Sequence, residues 1–316
     1  MGSTWRLRML TGLLAAAGVT VLAACGSSGK PGDIGNGVPQ GRGTAVDTQG
    51  RLGVVAGENV WGNIAAQIGG DQVAVTSIIT NPNDDPHEYE TDVKDAAAVA
   101  NAALVIENGL GYDDFVPRLL SAAPSSDRVV LKVSTIVGAS RNANPHLWYD
   151  PAYVDTTARA IERSLAARLP ADASVFEANL AGFLAGEAQV EGVIGEIRAR
   201  YAGTAIAYTE RVPGYLVEAA GLRLVTPASF SQSIENGDDP SPIDNAVFES
   251  ALTAHKARVL LYNAQVTDAI TSHLAQVARV NGVPVVGVTE TIPAGEKDFQ
   301  SWQADQARAL LAALGG

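Results

Sequence analysis

From Leu52 to the C-terminus, short apolar segments alternate with longer segments of helical spacing. The apolar segments are rich in Val, Ile and Leu, which is typical of buried strands. Because parallel strands need crossover connections, this alternation predicts parallel sheets that helices cover on both faces. We therefore predict an α/β fold with strands at residues 52–56, 73–79, 103–106, 129–133, 204–208, 222–226, 258–262 and 284–288.

One segment interrupts the alternation. Residues 171–201 contain few helix breakers and carry a mixed charged face, so they predict a helix too long for a crossover in a compact sheet. We interpret this helix, with bounds 171–202, as the connection between an N-terminal α/β lobe at 52–170 and a C-terminal α/β lobe at 203–316. Each lobe is long enough to bury its own core, and a cleft is expected between them. Ligands of open α/β sheets bind at the carboxyl ends of the strands.

Residues 1–24 have the composition of an export signal. Arg6 and Arg8 precede an uncharged apolar stretch that is shorter than the roughly 20 residues of a membrane-spanning helix. The stretch ends in Leu-Ala-Ala-Cys, which resembles a bacterial lipobox and makes Cys25 the expected lipidation site. The protein would then be anchored to the outer face of the cytoplasmic membrane. The alternative is an ordinary secretory signal beside an unrelated cysteine. Residues 25–51, rich in Gly, Ser and Pro, predict a flexible tether.

The composition excludes several classes of function. The chain of 316 residues has a single cysteine, which excludes a disulfide framework, a Cys-rich zinc module and an iron–sulfur cluster. The formal net charge of −12 argues against a sequence-independent nucleic-acid binder, which needs a basic surface. The phosphate-binding pattern G-x-x-x-x-G-K-[ST] is absent from the sequence, so any ATPase must be a separate chain.

Four predicted strand ends carry side chains that ligate metals. Two of them hold Pro-His pairs, with His87 after the second strand and His146 after the fourth. The other two hold carboxylates at equivalent places in the C-terminal lobe, with Glu210 after the fifth strand and Glu290 after the eighth. Two imidazoles and two carboxylates from both walls of a cleft form a complete four-ligand set.

Each of these residues, taken alone, also fits a solvated position in a loop. The chain has four histidines, and the remaining two are left outside the site. His255 lies at a predicted helix end, where a cation interacts favourably with the helix dipole, and His273 lies within a predicted helix.

Several motifs resemble those of the metal-binding solute receptors of bacterial ABC importers, the zinc and manganese cluster A-I family. They are DPHEYE at 85–90, NGLG at 108–111, NPHLWYDP at 144–151 and PSP at 240–242. The resemblance covers nearly the whole chain after residue 51, and it implies two α/β lobes joined by one long rigid helix. It implies a monomeric lipoprotein, not an enzyme, that carries one divalent metal ion, Zn²⁺ or Mn²⁺, as cargo. The implied partners are a membrane permease and its ATPase subunit.

Position by position, the resemblance assigns His87 and His146 to the two family histidines. Glu210 occupies the third place, where members have His or Glu, and Glu290 occupies the fourth, where Asp is commoner. Glu290 has one methylene more than an Asp and therefore reaches further. It could bind the metal through a different number of oxygens, or another residue could be the fourth ligand. The absence of a His-rich loop leans towards manganese, whereas the affinity order of divalent metals favours zinc.

Two other functions use the same features. A metallohydrolase would combine a His/His/Glu site with an open position for water and a glutamate as general base. Four candidate ligands would close that position, and the sequence has no His-Glu-x-x-His motif. A metal-independent adhesin or scaffold lipoprotein would need none of the four residues, so alanine at His87 and His146 would leave its stability unchanged with and without metal.

Overall fold

The computed structural model describes residue 47 and residues 49–81, 89–265 and 267–315. The first sheet consists of four parallel strands in the order β2-β1-β3-β4. These strands are β1 (Leu52–Glu58), β2 (Val73–Ile79), β3 (Leu104–Glu107) and β4 (Val129–Lys132). The helices that accompany them are α1 (Asn59–Gly69), α2 (Val93–Ala100), α3 (Phe115–Ala122), α4 (Val133–Ile136) and α5 (Pro151–Arg168).

The second sheet repeats this topology, with four parallel strands in the order β6-β5-β7-β8. Its strands are β5 (Ala205–Tyr208), β6 (Arg223–Leu224), β7 (Leu260–Asn263) and β8 (Val285–Val288). Its helices are α7 (Gly214–Ala219), α8 (Ala228–Glu235), α9 (Pro242–Thr253), α10 (Ala269–Val280) and α11 (Phe299–Ala313). The prediction of a two-lobed α/β fold with parallel sheets is therefore confirmed.

Helix α6 (Ala173–Tyr201) separates the two sheets in the sequence and packs against both halves of the molecule. It contacts α1 and α5 of the first lobe and α11 of the second. The buried residues of α6 recur at helical spacing and form one face. They are Phe176, Leu180, Phe183, Glu187, Val190, Ile194 and Ile197. The predicted long helix is thus present, and a 3₁₀ turn at Pro170–Asp172 precedes it.

The hydrophobic core differs from the expected pair of separate cores. The largest cluster of buried apolar side chains runs continuously from Leu52 in β1 to Leu314 beyond α11, and it includes the buried face of α6. Two smaller clusters lie against the remaining face of each sheet. Because α6 and α11 both contribute to the largest cluster, the lobes share one interior rather than meeting only at a linker.

Two features of the C-terminal lobe were not predicted. Helix α8 lies between β6 and α9, and α9 begins at Pro242. This start follows from Ser241, whose hydroxyl accepts a hydrogen bond from the main-chain N–H of Asp244 at 3.1 Å and caps the helix. The segment boundaries at residues 24, 51, 170 and 202 stay predictions. In the described part of the chain, none of the helices has the length and apolar character that crossing a bilayer requires.

One carboxyl group is buried in the face of α6. Glu187 is only 5% exposed, and within the described residues its Oε1 atom has no hydrogen-bond partner. Burial, reinforced by the charges of Glu191, Asp155 and Asp298, raises the pKa of Glu187 to about 8. The folded protein therefore holds this carboxyl group in its neutral form near neutral pH.

We expect Glu187 to make the protein less stable as the pH rises. Between pH 4.5, the ordinary pKa, and about pH 8, unfolding releases a proton that the folded state retains. The free energy of unfolding should then fall by as much as about 1.4 kcal/mol per pH unit from this group. Glu187→Gln should remove that part of the slope in urea unfolding series, whereas Glu177→Gln, an exposed position on the same helix, should leave it. Equal slopes in wild type and Glu187→Gln would contradict the prediction.

Candidate metal centre

Three of the four predicted ligands meet at the carboxyl ends of the two sheets. His146, Glu210 and Glu290 each offer a ligand atom, and these atoms lie within 4.8 Å of one another. Their side chains are almost fully buried, with exposures of 0%, 3% and 2%. The fourth predicted ligand, His87, and the predicted lipidation site, Cys25, lie outside the described residues.

His146 is positioned by the loop that leads into α5. Asp150 caps α5 by accepting hydrogen bonds from the main-chain N–H groups of Ala152 and Tyr153, and this anchors the C-terminal side of the loop. On the other side, Asn144 Oδ1 lies 2.7 Å from Nδ1 of His146 and also accepts its main-chain N–H. Because Asn144 Oδ1 is an acceptor, the proton of a neutral imidazole belongs on Nδ1.

This tautomer leaves Nε2 of His146 as a lone-pair donor inside the site. The atom is buried and has no hydrogen-bond partner among the described residues. It lies 3.5 Å from Oε2 of Glu290. Tyr112 and Trp148 enclose the ring, each with its centroid 5.5 Å from that of the imidazole. A buried, unpartnered nitrogen beside a carboxylate is the arrangement that a metal ion would complete.

The two carboxylates follow the two strands that flank β7 in the second sheet. Glu210 follows β5, Glu290 follows β8, and the strand between them, β7, ends in Asn263. The side-chain amide of Asn263 donates to Oε2 of Glu210 at 2.6 Å and to Oε1 of Glu290 at 2.7 Å. Since parallel strands end at the same edge of a sheet, this topology brings the three side chains together.

Glu290 receives further support from both lobes. The hydroxyl of Tyr112, in the first lobe, donates to its Oε2 atom at 2.8 Å. The side-chain oxygen of Gln265 accepts the main-chain N–H groups of Glu290 and Thr291. Burial alone would raise the pKa of Glu290, but the imidazolium form of His146 and the hydrogen bonds from Tyr112 and Asn263 hold this pKa below its ordinary value. Glu290 is therefore an ionised carboxylate.

The chemistry of the cluster suits a divalent transition metal. One imidazole nitrogen and two carboxylates are ligands that Zn²⁺, Mn²⁺, Fe²⁺ and Ni²⁺ all accept. Two buried carboxylates also repel each other and lack water, so a cation between them would lower the free energy of the folded state. The two histidines excluded from the site are both exposed, with His255 just beyond the end of α9 and His273 in α10.

Sequence reasoning missed the residues that orient the predicted ligands. Asn263, Tyr112 and Asn144 each hydrogen-bond to one or both sides of the cluster. Asn263 directly follows the predicted strand at 258–262, so the search at strand ends could have found it.

Comparison with known proteins gives one family match that spans most of the chain. A sequence model of the family described as "ZnuA: Zinc-uptake complex component A periplasmic" matches residues 54–313. The manganese-binding lipoprotein MntA of Halalkalibacterium halodurans is 32% identical over 147 residues, which are 45% of this chain and about half (48%) of that protein. The iron ABC transporter substrate-binding lipoprotein MtsA of Streptococcus pyogenes is 23% identical over 306 residues, 90% of this chain and 91% of that protein.

Solved structures share the fold at low sequence identity. The periplasmic zinc binding protein TroA from Treponema pallidum superposes with a TM-score of 0.72 at 17% identity, covering 84% of this chain and 99% of that chain. The protein FpvC from Pseudomonas aeruginosa in complex with Mn²⁺ gives a TM-score of 0.68 at 19% identity, covering 84% of this chain and 98% of that chain. These likenesses establish the architecture.

We expect Asn144 to control both the stability of the loop and the tautomer of His146. Its side-chain amide also donates to the main-chain oxygen of Arg211, so Asn144→Ala leaves buried polar groups without partners. The free energy of unfolding should fall by roughly 1–3 kcal/mol. Nitrogen NMR of the imidazole should show the loss of a fixed Nδ1–H tautomer. Asn142→Ala, at an exposed position of the same loop, should change neither quantity, and an unaltered tautomer in Asn144→Ala would refute the assignment.

Proposed function

Because the chain belongs to the ZnuA family of periplasmic zinc-uptake components, we propose that it captures one divalent transition metal ion and delivers it to an ABC importer. The finer part of the proposal is that the cargo is Zn²⁺ or Mn²⁺ and that the receiving partners are a permease and its separate ATPase subunit. The observation that carries it is the buried cluster of His146, Glu210 and Glu290, whose ligand atoms lie within 4.8 Å of one another.

We propose that the ion binds between the lobes. His146 would contribute Nε2 from the first lobe, and Glu210 and Glu290 would contribute carboxylate oxygens from the second. His87, which follows β2, is proposed as the fourth ligand on the strength of the family motif around it. Because these ligands come from both lobes, the bound ion would bridge the lobes. Ordering of the loops that carry the two glutamates would signal the loaded state.

The proposed place of action is the outer face of the cytoplasmic membrane. The family is described as periplasmic, and two relatives are named lipoproteins, so the protein is exported. We propose that residues 1–24 are removed, that Cys25 is lipidated, and that residues 25–51 tether a monomer to the membrane. A lipid chain contributes about 0.8 kcal/mol of binding free energy per buried methylene.

The alternative functions are not favoured. Members of this family are substrate-binding components of transporters, not enzymes. A hydrolytic metal centre also needs a position open to water and substrate, whereas the three described candidate ligands are at most 3% exposed. A metal-independent scaffold would gain nothing from two buried carboxylates beside an unpartnered imidazole nitrogen, because such a cluster costs free energy without a cation.

We expect Zn²⁺ or Mn²⁺ to stabilise the purified protein through these ligands. A ligand present at about a thousand times its dissociation constant raises the free energy of unfolding by roughly 4 kcal/mol. Chelator-stripped protein should gain this stability in calorimetry and should bind about one ion per chain in elemental analysis. His146→Ala, Glu210→Gln, Glu290→Gln and His87→Ala should each reduce or abolish the gain.

His273→Ala is the matched control, because the side chain of this histidine is 59% exposed and its Nε2 lies 3.8 Å from Oε2 of Glu249. It should retain the full metal-dependent stabilisation. If all variants and the wild type responded alike, or if the wild type bound much less than one ion per chain, the proposed function would be wrong.

A further inference from the structure

One neutral side chain binds both carboxylates of the candidate metal centre. Asn263 is 1% exposed and ends β7, between the strands that precede Glu210 and Glu290. Its two amide protons are directed to different glutamates, since Nδ2 lies 2.6 Å from Oε2 of Glu210 and 2.7 Å from Oε1 of Glu290. An amide nitrogen has two N–H donors, so this arrangement uses both of them on the site.

The orientation of the amide is fixed by its other contacts. Oδ1 of Asn263 accepts the main-chain N–H of Gln265 at 3.1 Å, and the main-chain N–H of Asn263 donates to Thr209 Oγ1, also at 3.1 Å. Rotation of the amide by half a turn would place its oxygen against two carboxylates and leave the N–H of Gln265 unpaired. The donors of Asn263 are thus held towards the glutamates before any ion binds.

Because Asn263 donates a hydrogen bond to each glutamate, the two oxygens of Glu290 have different partners. Oε1 accepts a hydrogen bond from Asn263, while Oε2 accepts the hydroxyl of Tyr112 and lies 3.5 Å from Nε2 of His146, the nitrogen that the proposed ion would bind. The side chain of a glutamate is long enough to turn and present both oxygens to a metal. The hydrogen bond from Asn263 to Oε1 opposes this rotation of Glu290. The hydrogen bond from Asn263 to Oε2 of Glu210 opposes the same rotation of the Glu210 side chain.

We propose that Asn263 is a specificity-determining positioning residue that holds each glutamate to ligation through a single oxygen. The inference rests on the proposed function, in which the metal ion is the cargo. Ligation through one oxygen of each glutamate keeps the number of ligand atoms around the ion low. Four-coordinate tetrahedral geometry suits Zn²⁺, whereas Mn²⁺ prefers six oxygen-rich ligands and gains from carboxylates that bind through both oxygens. Asn263 therefore shifts the selectivity of the site towards Zn²⁺.

The test compares Zn²⁺ and Mn²⁺ affinities of chelator-stripped full-length protein by competition titration. Asn263→Ala removes the hydrogen bond that Asn263 makes to each carboxylate, so the ratio of Zn²⁺ to Mn²⁺ affinity should fall by about tenfold or more. X-ray absorption should show more ligand atoms around the metal in the loaded variant than in the loaded wild type. Asn263→Ser, whose hydroxyl is too short to bridge both glutamates, should shift the ratio in the same direction and serves if the alanine variant does not fold.

Gln265→Ala is the matched control. Gln265 supports the loop of Glu290 through main-chain groups and touches neither carboxylate in the described contacts. It should weaken both metals together and leave their ratio unchanged, as a merely structural role would. If both Asn263 variants kept the wild-type affinity ratio and the wild-type number of ligand atoms, this inference alone would be overturned. A wild type that binds neither ion would overturn the proposed function and this inference with it.

Discussion

Two ionisable glutamates are buried at the junction of the lobes, and the rest of the site is arranged around the cost of that burial. A carboxylate removed from water needs a hydrogen-bond donor or a cation as a partner. Asn263 supplies a donor to Glu210 and to Glu290, and Tyr112 supplies another to Glu290 from the opposite lobe. These donors are neutral, so they orient the two negative charges without cancelling them. A divalent cation supplies what they lack.

Two buried carboxyl groups of the first lobe, Glu58 and Asp113, differ from Glu290 in the direction of their pKa shift because their neighbours differ. Glu58 is fully buried at the end of β1, and burial together with the charge of Asp113 raises its pKa well above the ordinary value. Burial also raises the pKa of Asp113 to about 6, although the main-chain N–H groups of Gly109 and Asn108 oppose the shift. Glu290 is equally buried, yet its pKa is lowered by its partners.

The shared core makes this junction narrow and reproducible. Helix α6 packs against α1 and α5 on one side and α11 on the other, so the carboxyl ends of both sheets are held at a defined separation. Aromatic side chains extend the contact, since Tyr149 packs on Trp302 with centroids 5.9 Å apart and donates to the main-chain oxygen of Thr289, immediately before Glu290. A site built from both lobes needs this rigidity, because metal–ligand distances tolerate little error.

The sequence by itself determined the fold class, the long helix and the loops in which His146, Glu210 and Glu290 lie. Hydrophobic periodicity and strand-to-helix junctions are local features of a sequence, so they can be read from it directly. Because the carboxyl ends of parallel strands lie at one edge of a sheet, residues that follow different strands are also expected to lie close together. Helix α8 escaped prediction, and so did the continuity of the core, which joins residues of both lobes. Only the tertiary structure decided that Tyr112 reaches Glu290 across 178 positions, and that Asn263 bridges two glutamates. Such contacts depend on how closely the two sheets and α6 pack against one another. No local pattern of residues in the sequence specifies that packing.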